Sequence, residues 1–261
     1  MTNKYKIGIM GVGTVGGALK SYFEDKGIKL FIYDKNNKGS LPEVNKADII
    51  FICVPTPFDK KIGLDLSCVQ EAFKNISGKK IVVIKSTVLP GTTEKFQKKY
   101  PFHKILFNPE FLTEKNAKND MKFPDEQIVG FTKESKGVAK NILKILPKAP
   151  FKKTVKASEA EMMKYFANTF LSVKVIFANQ MYDLCQKLGI DYKTVKKIAV
   201  ADKRIGDSHL DVFFDGYRGY GGKCLPKDTK ALISFAESTG VDLKLHKTVE
   251  EINFKLTSDK R

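Results

Sequence analysis

The chain has 261 residues, 42% of them hydrophobic, with 46 Lys plus Arg against 29 Asp plus Glu and a formal charge of +17. That length and composition suit a globular protein of two domains and argue against disorder. No apolar run approaches the roughly 18 residues of a membrane span, and no n-region, h-region and cleavage site stand in series, so a soluble, cytoplasmic protein without a membrane partner is expected.

The lysines are scattered singly and in pairs, with no arginine-rich or aromatic-interleaved stretch. This argues against nucleic acid as the partner and for a basic surface that concentrates an anionic ligand. Cys53, Cys68, Cys185 and Cys224 form no CxxC pair and no metal-like cluster. Reduced thiols and no metal site are expected.

In chain order, the first predicted unit is βαβ: an apolar strand from Tyr5 to Met10, then Gly11-x-Gly13-x-x-Gly16, a helix to about Lys26, and a second strand ending in Asp34. This is the dinucleotide fingerprint in its required context. Gly11 allows the tight turn, Gly13 lets the backbone approach a pyrophosphate, Gly16 lets helix and strand pack closely, and the N–H groups at the helix start face the anion. The whole turn, with Val12, Thr14 and Val15, is therefore a candidate cofactor site. Asp34 is placed to accept from the adenosine ribose hydroxyls, and its charge favours NAD over NADP, with neighbouring Lys35 working the other way.

Short apolar strands then alternate with helical segments: IIFICV from Ile49, KIVVIKST from Lys80, KILFN from Lys104 and QIVGF from Gln127. That alternation predicts a parallel, doubly wound sheet. Ligands bind such sheets beyond the carboxyl ends of the strands, where the polar stretches Val54-Pro-Thr56-Pro57, Ser86-Thr87 and Asn108-Pro-Glu110 fall.

From Ser158 a single long helix is predicted, with Ser158 as its cap, Glu161 reaching back, and Gly189 closing it after Leu188. It should run about 45 Å, a length suited to crossing between domains or forming an oligomer core. On it Lys164 and Asn168 are four apart and share a face, either as a polar pair aimed into a cleft or as an ordinary solvated lysine and a tolerated asparagine. Further helices are predicted from Tyr192 to Val200, from Lys227 through Ser238, and near Val249 to Leu256. The expected boundary divides 1–156, a nucleotide-binding domain, from 157–261, a small all-helical domain.

The last informative stretch is GYGGKCLPKD. Cys224 lies between Gly221-Gly222 and Pro226-Lys227-Asp228; the glycines let a ligand approach and the Lys227 cation favours thiolate over thiol. A packed small hydrophobe is the other reading of that cysteine. None of His103, His209 or His246 sits in a motif that asks for an imidazole base.

Taken together, the amino-terminal glycine motif, VPTP, STVLPGT at Ser86 to Thr92, NPEFLTEKNAKND at Asn108 to Asp120, EAEMMKYFANTF at Glu159 to Phe170, the Asp202-Lys-Arg204-Ile stretch and GYGGKCLPKD resemble the UDP-glucose/GDP-mannose dehydrogenase family. They occur in that family's order over nearly the whole chain. The resemblance implies a Rossmann-type α/β domain followed by a long helix and a helical domain. It also implies oxidation of the C6 hydroxyl of a nucleotide sugar to a carboxylate with two NAD, UDP-glucose to UDP-glucuronate being the expected case.

By the same resemblance Cys224 is the nucleophile of the second oxidation, Lys164 with Asn168 stabilises the oxyanion, and Asp228 orients water or relays a proton. Glu114 activates the hydrolytic water. Thr87 holds a water and, with Val54, Thr56 and Ser86, meets the nicotinamide end. Glu110, Phe111, Leu112, Gly221 and Lys227 hold the sugar, beside Lys164 and Asn168, and Arg204 reaches the partner subunit's sugar site in a homodimer.

The family commonly has Arg where Thr113 stands and Gly where Lys115 stands, and the stretch from Gly206 to Arg218 is longer here. The resemblance further implies a second Rossmann-like unit beyond Arg261 that grips the UDP or GDP. A separate nucleotide-binding domain, a weakly held substrate or a shortened chain are the alternatives it raises. Two other functions remain in view: a non-catalytic NAD-binding or assembly protein of the same family, and a two-domain β-hydroxyacid dehydrogenase, which accounts for the glycine motif but not the cysteine loop.

Overall fold

The computed structural model describes residues 5–36, 38–214 and 216–258, so the implied segment beyond Arg261 lies outside it. The chain divides into two compact units, 1–164 and 165–261. The first contains β1 (Ile7–Met10), α1 (Thr14–Glu24), β2 (Leu30–Asp34), β3 (Lys38–Gly39), α2 (Leu41–Val44), β4 (Ile49–Ile52), β5 (Phe58–Asp59), β6 (Gly63–Leu64), α3 (Ser67–Lys74), β7 (Ile81–Ile84), α4 (Thr92–Lys99), β8 (Lys104–Phe107), α5 (Ala117–Lys122), β9 (Glu126–Phe131), α6 (Lys136–Ile145) and β10 (Phe151–Lys156). One sheet runs β10-β9-β8-β7-β4-β1-β2-β3, while β5 and β6 form a separate small ribbon.

Alternation along the strands explains the two covered faces. Ile7, Ile9, Ile49, Phe51, Val83 and Leu106 enter one buried cluster with Leu19 and Phe23 of α1 and Ile142 of α6. Met10, Ile50, Ile52, Val82, Ile84, Ile105 and Phe107 enter another, with Val69 and Phe73 of α3 and Phe96 of α4. A strand buried on both faces reads as a continuous apolar run, which is how β4 and β7 look in the sequence.

The strands β2, β1, β4, β7 and β8 are mutually parallel, and Met10, Ile52, Ile84 and Phe107 stand level at their carboxyl ends. The turns after β1, β4, β7 and β8 therefore open on one edge, as ligand binding in a doubly wound sheet requires.

The parallel expectation fails at β9, which pairs antiparallel with β8 through Leu106↔Phe131 and Phe107↔Gly130. The reason is the route of the chain. After β8 it carries α5 against α1 instead of laying a crossover helix over β8, and it re-enters the sheet from the carboxyl edge. A true crossover through α6 then makes β10 parallel to β9.

Helix α7 (Ala157–Lys187, 31 residues) starts in the first unit and continues into the second. It begins two residues earlier than the capping-box reading, directly off β10, so Ser158 lies inside its first turn. Glu159 accepts from the Lys156 N–H at 2.9 Å and performs the reach-back expected of Glu161. Its carboxyl end agrees with the sequence: Gly189 takes φ +67°, and the Ile190 N–H donates to the Cys185 carbonyl at 2.8 Å.

The second unit holds the rest of α7 with α8 (Tyr192–Ala199), α9 (Leu225–Ser238) and α10 (Lys244–Ser258). Its cores are small: Val175, Ile176, Tyr220 and Val249 in one, Ala178, Leu210 and Val212 in another. Asn253 on α10 ties in the glycine-rich segment, accepting from the Tyr220 N–H at 2.7 Å and donating to the Tyr220 carbonyl at 3.0 Å.

Candidate cofactor and catalytic sites

The turn after β1 is built as the glycine motif requires. Gly11 has φ +88°, and a Cβ there would lie 2.6 Å from the Cys53 carbonyl oxygen; at Gly16 it would lie 1.9 Å from the Gly11 oxygen. At Gly13 it would meet nothing within 4 Å, so open space faces that residue. Helix α1 starts after Gly13 with no side-chain cap and no acidic residue in its first turn, leaving its amides to an outside acceptor.

Asp34 anchors this turn. Its Oδ2 accepts from the Val12 N–H at 2.7 Å and its Oδ1 from the Asn36 N–H at 2.9 Å. Lys35 beside it is exposed. A cavity of about 590 Å³ has Gly13, Thr14, Gly17 and Ala18 on one wall and residues 114–119 on the other. These features fit a dinucleotide whose pyrophosphate lies over Gly13.

The turns after β4 and β7 are laced together: Ser86 Oγ donates to the Val54 carbonyl at 2.7 Å, and Thr56 Oγ1 donates to the Thr87 carbonyl at 2.8 Å. Beyond β8, the Glu110 side chain is 9% exposed, and three contacts hold the residue. Lys164 Nζ lies 3.1 Å from Oε1, the Leu112 N–H donates to Oε2 at 2.9 Å, and Lys164 also donates to the Glu110 carbonyl at 2.6 Å. The Phe111 ring lies 5.3 Å from the same ammonium. Burial works to raise the Glu110 carboxyl, but the Lys164 cation, the Leu112 amide and Lys85 outweigh it and hold it below its ordinary value.

Sequence reasoning places Glu110, Leu112, Phe111 and Lys164 in one group, and the structure brings them together. Glu114 is elsewhere, on the cavity wall facing the glycine turn. Thr113 gives its N–H and hydroxyl to Asp120 Oδ2 at 2.8 and 2.6 Å.

One buried charged residue, Lys85, escaped the sequence reading, and another, Glu161, has a different role from the expected reach-back. Lys85 is only 3% exposed; it donates to Asn108 Oδ1 at 2.6 Å, and burial lowers its affinity for its proton. Asn108 in turn donates to Gln127 Oε1 at 2.8 Å and to the Ile128 carbonyl at 2.7 Å. A lysine closing the apolar run IVVIK was the available signal. Glu161, fully buried, accepts from the Gly91 N–H, the Thr93 N–H and the Thr93 hydroxyl at 2.6, 2.8 and 2.6 Å, and burial pushes its carboxyl up to about 7.

In the second unit, Cys224 is exposed, in no disulfide, and is the residue at which α9 begins. Its carbonyl accepts from the Asp228 N–H at 2.8 Å. Asp228, 1% exposed, receives Asn168 Nδ2 on Oδ2 and Lys227 Nζ on Oδ1, both at 2.5 Å. Lys227 is thus paired with the carboxylate next to it. Asn168 is held again from behind, its carbonyl accepting from Ser172 Oγ at 3.1 Å, and Ser172 Oγ lies 3.0 Å from Thr229 Oγ1. Gly222 takes φ +70°, and a Cβ on Gly221 would lie 2.7 Å from the Tyr217 hydroxyl. Arg204 is exposed and forms a local fork with Asp202 at 2.5 Å. Among the described residues no cluster of His, Cys, Asp or Glu is arranged to hold a metal, and no helix is long and apolar enough to cross a membrane.

A mostly parallel sheet whose first turn is open at Gly13 and anchored by an acid at the end of β2 defines a Rossmann-type dinucleotide-binding dehydrogenase fold. Sequence comparison narrows that class. Residues 38–146 match the NAD binding domain of the UDP-glucose/GDP-mannose dehydrogenase family, and residues 158–255 match its central domain. The chain belongs to the UDP-glucose/GDP-mannose dehydrogenase family, and the cofactor of its first domain is NAD.

A curated relative, UDP-glucose 6-dehydrogenase of Rickettsia conorii, is 36% identical over 222 residues, which are 81% of this chain and 50% of that protein. The chain therefore spans about half the length of such relatives. A UDP-glucose dehydrogenase from Pyrobaculum islandicum superposes with a TM-score of 0.86 at 29% identity, covering 96% of this chain and 68% of that one. The 3-hydroxyisobutyrate dehydrogenase of Mycobacterium tuberculosis shares the fold, with a TM-score of 0.77 at 16% identity over 98% of this chain and 94% of its own.

Proposed function

We propose that this chain carries out the NAD-dependent oxidation of the C6 hydroxyl of a nucleotide sugar, UDP-glucose to UDP-glucuronate, in two steps. Residues 1–156 form the NAD domain in this reading, and 157–261 the helical domain with the cysteine loop. The observation that carries it is Cys224, an exposed thiol at the start of a 14-residue helix in a loop of glycines, with the buried Asp228 one turn further on. A helix N-terminus favours thiolate, and a second oxidation at the same carbon requires such a nucleophile.

NAD, when bound, accepts a hydride in each step. The first takes a hydride and a proton from the alcohol and leaves an aldehyde. The Cys224 thiolate then adds to the aldehyde carbon, and the resulting thiohemiacetal oxyanion is stabilised by Lys164 and Asn168. Loss of hydride gives a thioester, and water cleaves it to the carboxylate and the free thiol. Glu114 and Thr87 serve that water, Asp228 relays its proton, and Glu110, Phe111, Leu112, Gly221 and Lys227 bind the sugar.

We place the protein in the cytoplasm as a homodimer. Phe166, Phe170 and Phe177 on α7 are 72%, 55% and 59% exposed, an apolar stripe suited to a second copy, across whose interface Arg204 serves the partner's site. A further nucleotide-binding domain, on this or another polypeptide, supplies the UDP contacts.

The test is mass spectrometry of the protein with NAD and a panel of UDP- and GDP-hexoses, with that further domain added. A covalent sugar adduct on Cys224 that disappears in Cys224→Ser, together with NADH formation, is expected. Neither adduct nor NADH with any sugar would overturn the reading and leave a non-catalytic NAD-binding protein in its place.

A further inference from the structure

The fold puts two lysines, Lys115 and Lys118, beside the cofactor turn. Helix α5 packs against α1, so residues 114–119 form the wall of the 590 Å³ cavity opposite Gly13, Thr14 and Gly17. Two of them, Lys115 and Lys118, are exposed lysines.

The glycine turn itself offers an anion backbone N–H groups and the Thr14 hydroxyl, but no cation. On α1 the nearest cation is Lys20, and it is committed to Glu24 at 2.7 Å. The opposite wall carries Lys115 and Lys118 against the single acid Glu114, for a net charge of one positive. Lysine suits such a place: a compact charge on a flexible stem reaches phosphate oxygens without a fixed geometry, and in water-exposed positions it has little desolvation to overcome.

From the shared cavity and this charge arrangement, we propose that Lys115 and Lys118 bind the pyrophosphate of NAD from the side opposite the glycine turn. The dinucleotide is thus held between backbone donors on α1 and lysine side chains on the 114–119 segment. The proposal rests on the NAD assignment of the first domain and adds to it two side chains.

Titration calorimetry of NAD and of ADP-ribose decides it, comparing the unaltered protein, Lys115→Gly, the double variant Lys115→Gln/Lys118→Gln, and Lys98→Gln as a control for general surface charge. The double variant is expected to bind both ligands about tenfold more weakly or worse, given the usual strength of hydrogen bonds to charged groups, with a shallower salt dependence. Lys115→Gly should fall between, and Lys98→Gln should match the unaltered protein.

Unchanged affinity in the double variant, with the unaltered protein binding NAD, overturns this proposal and leaves the cofactor assignment standing. Weakened NAD with unaffected ADP-ribose also overturns it, because the lysines would then act at the nicotinamide end. Absence of NAD binding by the unaltered protein overturns both. All the substitutions are at exposed positions, and equal urea midpoints will confirm that the fold is intact.

Discussion

Asn168 on α7 donates its amide to Asp228 on α9 at 2.5 Å, and this bond is buried. It joins the two helices that carry the unit's candidate catalytic residues. Asp228→Ala should leave the Asn168 amide without its acceptor and Lys227 without its anion, lowering stability by about 1–3 kcal/mol. In urea unfolding, Asn168→Ala/Asp228→Ala should cost clearly less than the sum of the single changes, because either substitution alone already removes the bond. Strict additivity would show that the contact contributes nothing.

Two glycines of one motif should respond oppositely to alanine. Gly16→Ala drives a Cβ to 1.9 Å from the Gly11 oxygen, so the turn must move and both stability and NAD affinity should fall. Gly13→Ala has nothing within 4 Å to strike. Its midpoint should shift by less than about 1 kcal/mol, while NAD affinity falls because the methyl stands where the pyrophosphate lies. Thermal unfolding and calorimetry on the same samples separate the two, and a Gly13→Ala protein with full NAD affinity would place the pyrophosphate elsewhere.

Glu161 gives the fold a pH dependence with a defined sign. Its carboxyl moves from an ordinary 4.5 to about 7 on folding, chiefly through burial and with Glu94 adding to the rise, against three donors that favour the anion. The folded state therefore binds the extra proton between those values. Its contribution to stability is fully present below about pH 4.5 and is lost as pH rises through about 7. Urea stability of the unaltered protein minus that of Glu161→Gln should decline between about pH 5 and pH 8. A difference that stays level across that range would mean the carboxyl titrates normally.

Thiol chemistry should single out Cys224. It is exposed at a helix start, whereas Cys53 is only partly exposed, packed against the glycine turn, and desolvation pushes its thiol up to about 12. Cys185 is buried. Brief iodoacetamide treatment at neutral pH should alkylate Cys224 first, with Cys53 and Cys185 unmodified until the protein unfolds. Peptide mapping reads this directly, and early labelling at Cys53 would contradict the packing under Gly11.

How much of this was legible in the sequence depended on how local the cause was. The glycine turn was, because Gly11, Gly13, Gly16 and Asp34 act within one βαβ unit whose geometry the spacing determines. Gly189 was legible as a helix stop for the same reason. The direction of β9 was not: an apolar run has the same composition whichever way it enters the sheet, and the reversal comes from α5 settling against α1. Glu161 has the right spacing from Ser158 for a capping box, but β10 feeds the helix two residues earlier and the carboxylate is claimed by Gly91 and Thr93. Lys85 hides at the end of a strand whose other residues are apolar. The motif segment 108–120 read as one unit, yet it folds into two, Glu110 turning to Lys164 and Glu114 to the cofactor turn.

The sheet ends on two unequal margins. On one side β3 is only two residues long and has little ladder to offer another chain. On the other, β10 is six residues long and exposes a full row of backbone groups, but it carries Lys152, Lys153 and Lys156. A second β10 approaching edge to edge would bring like charges together at the spacing of a hydrogen-bonded ladder, a repulsion that weighs against growth of the sheet from molecule to molecule. The lysines that give the surface its basic charge also act, on this strand, as a barrier to fibre formation.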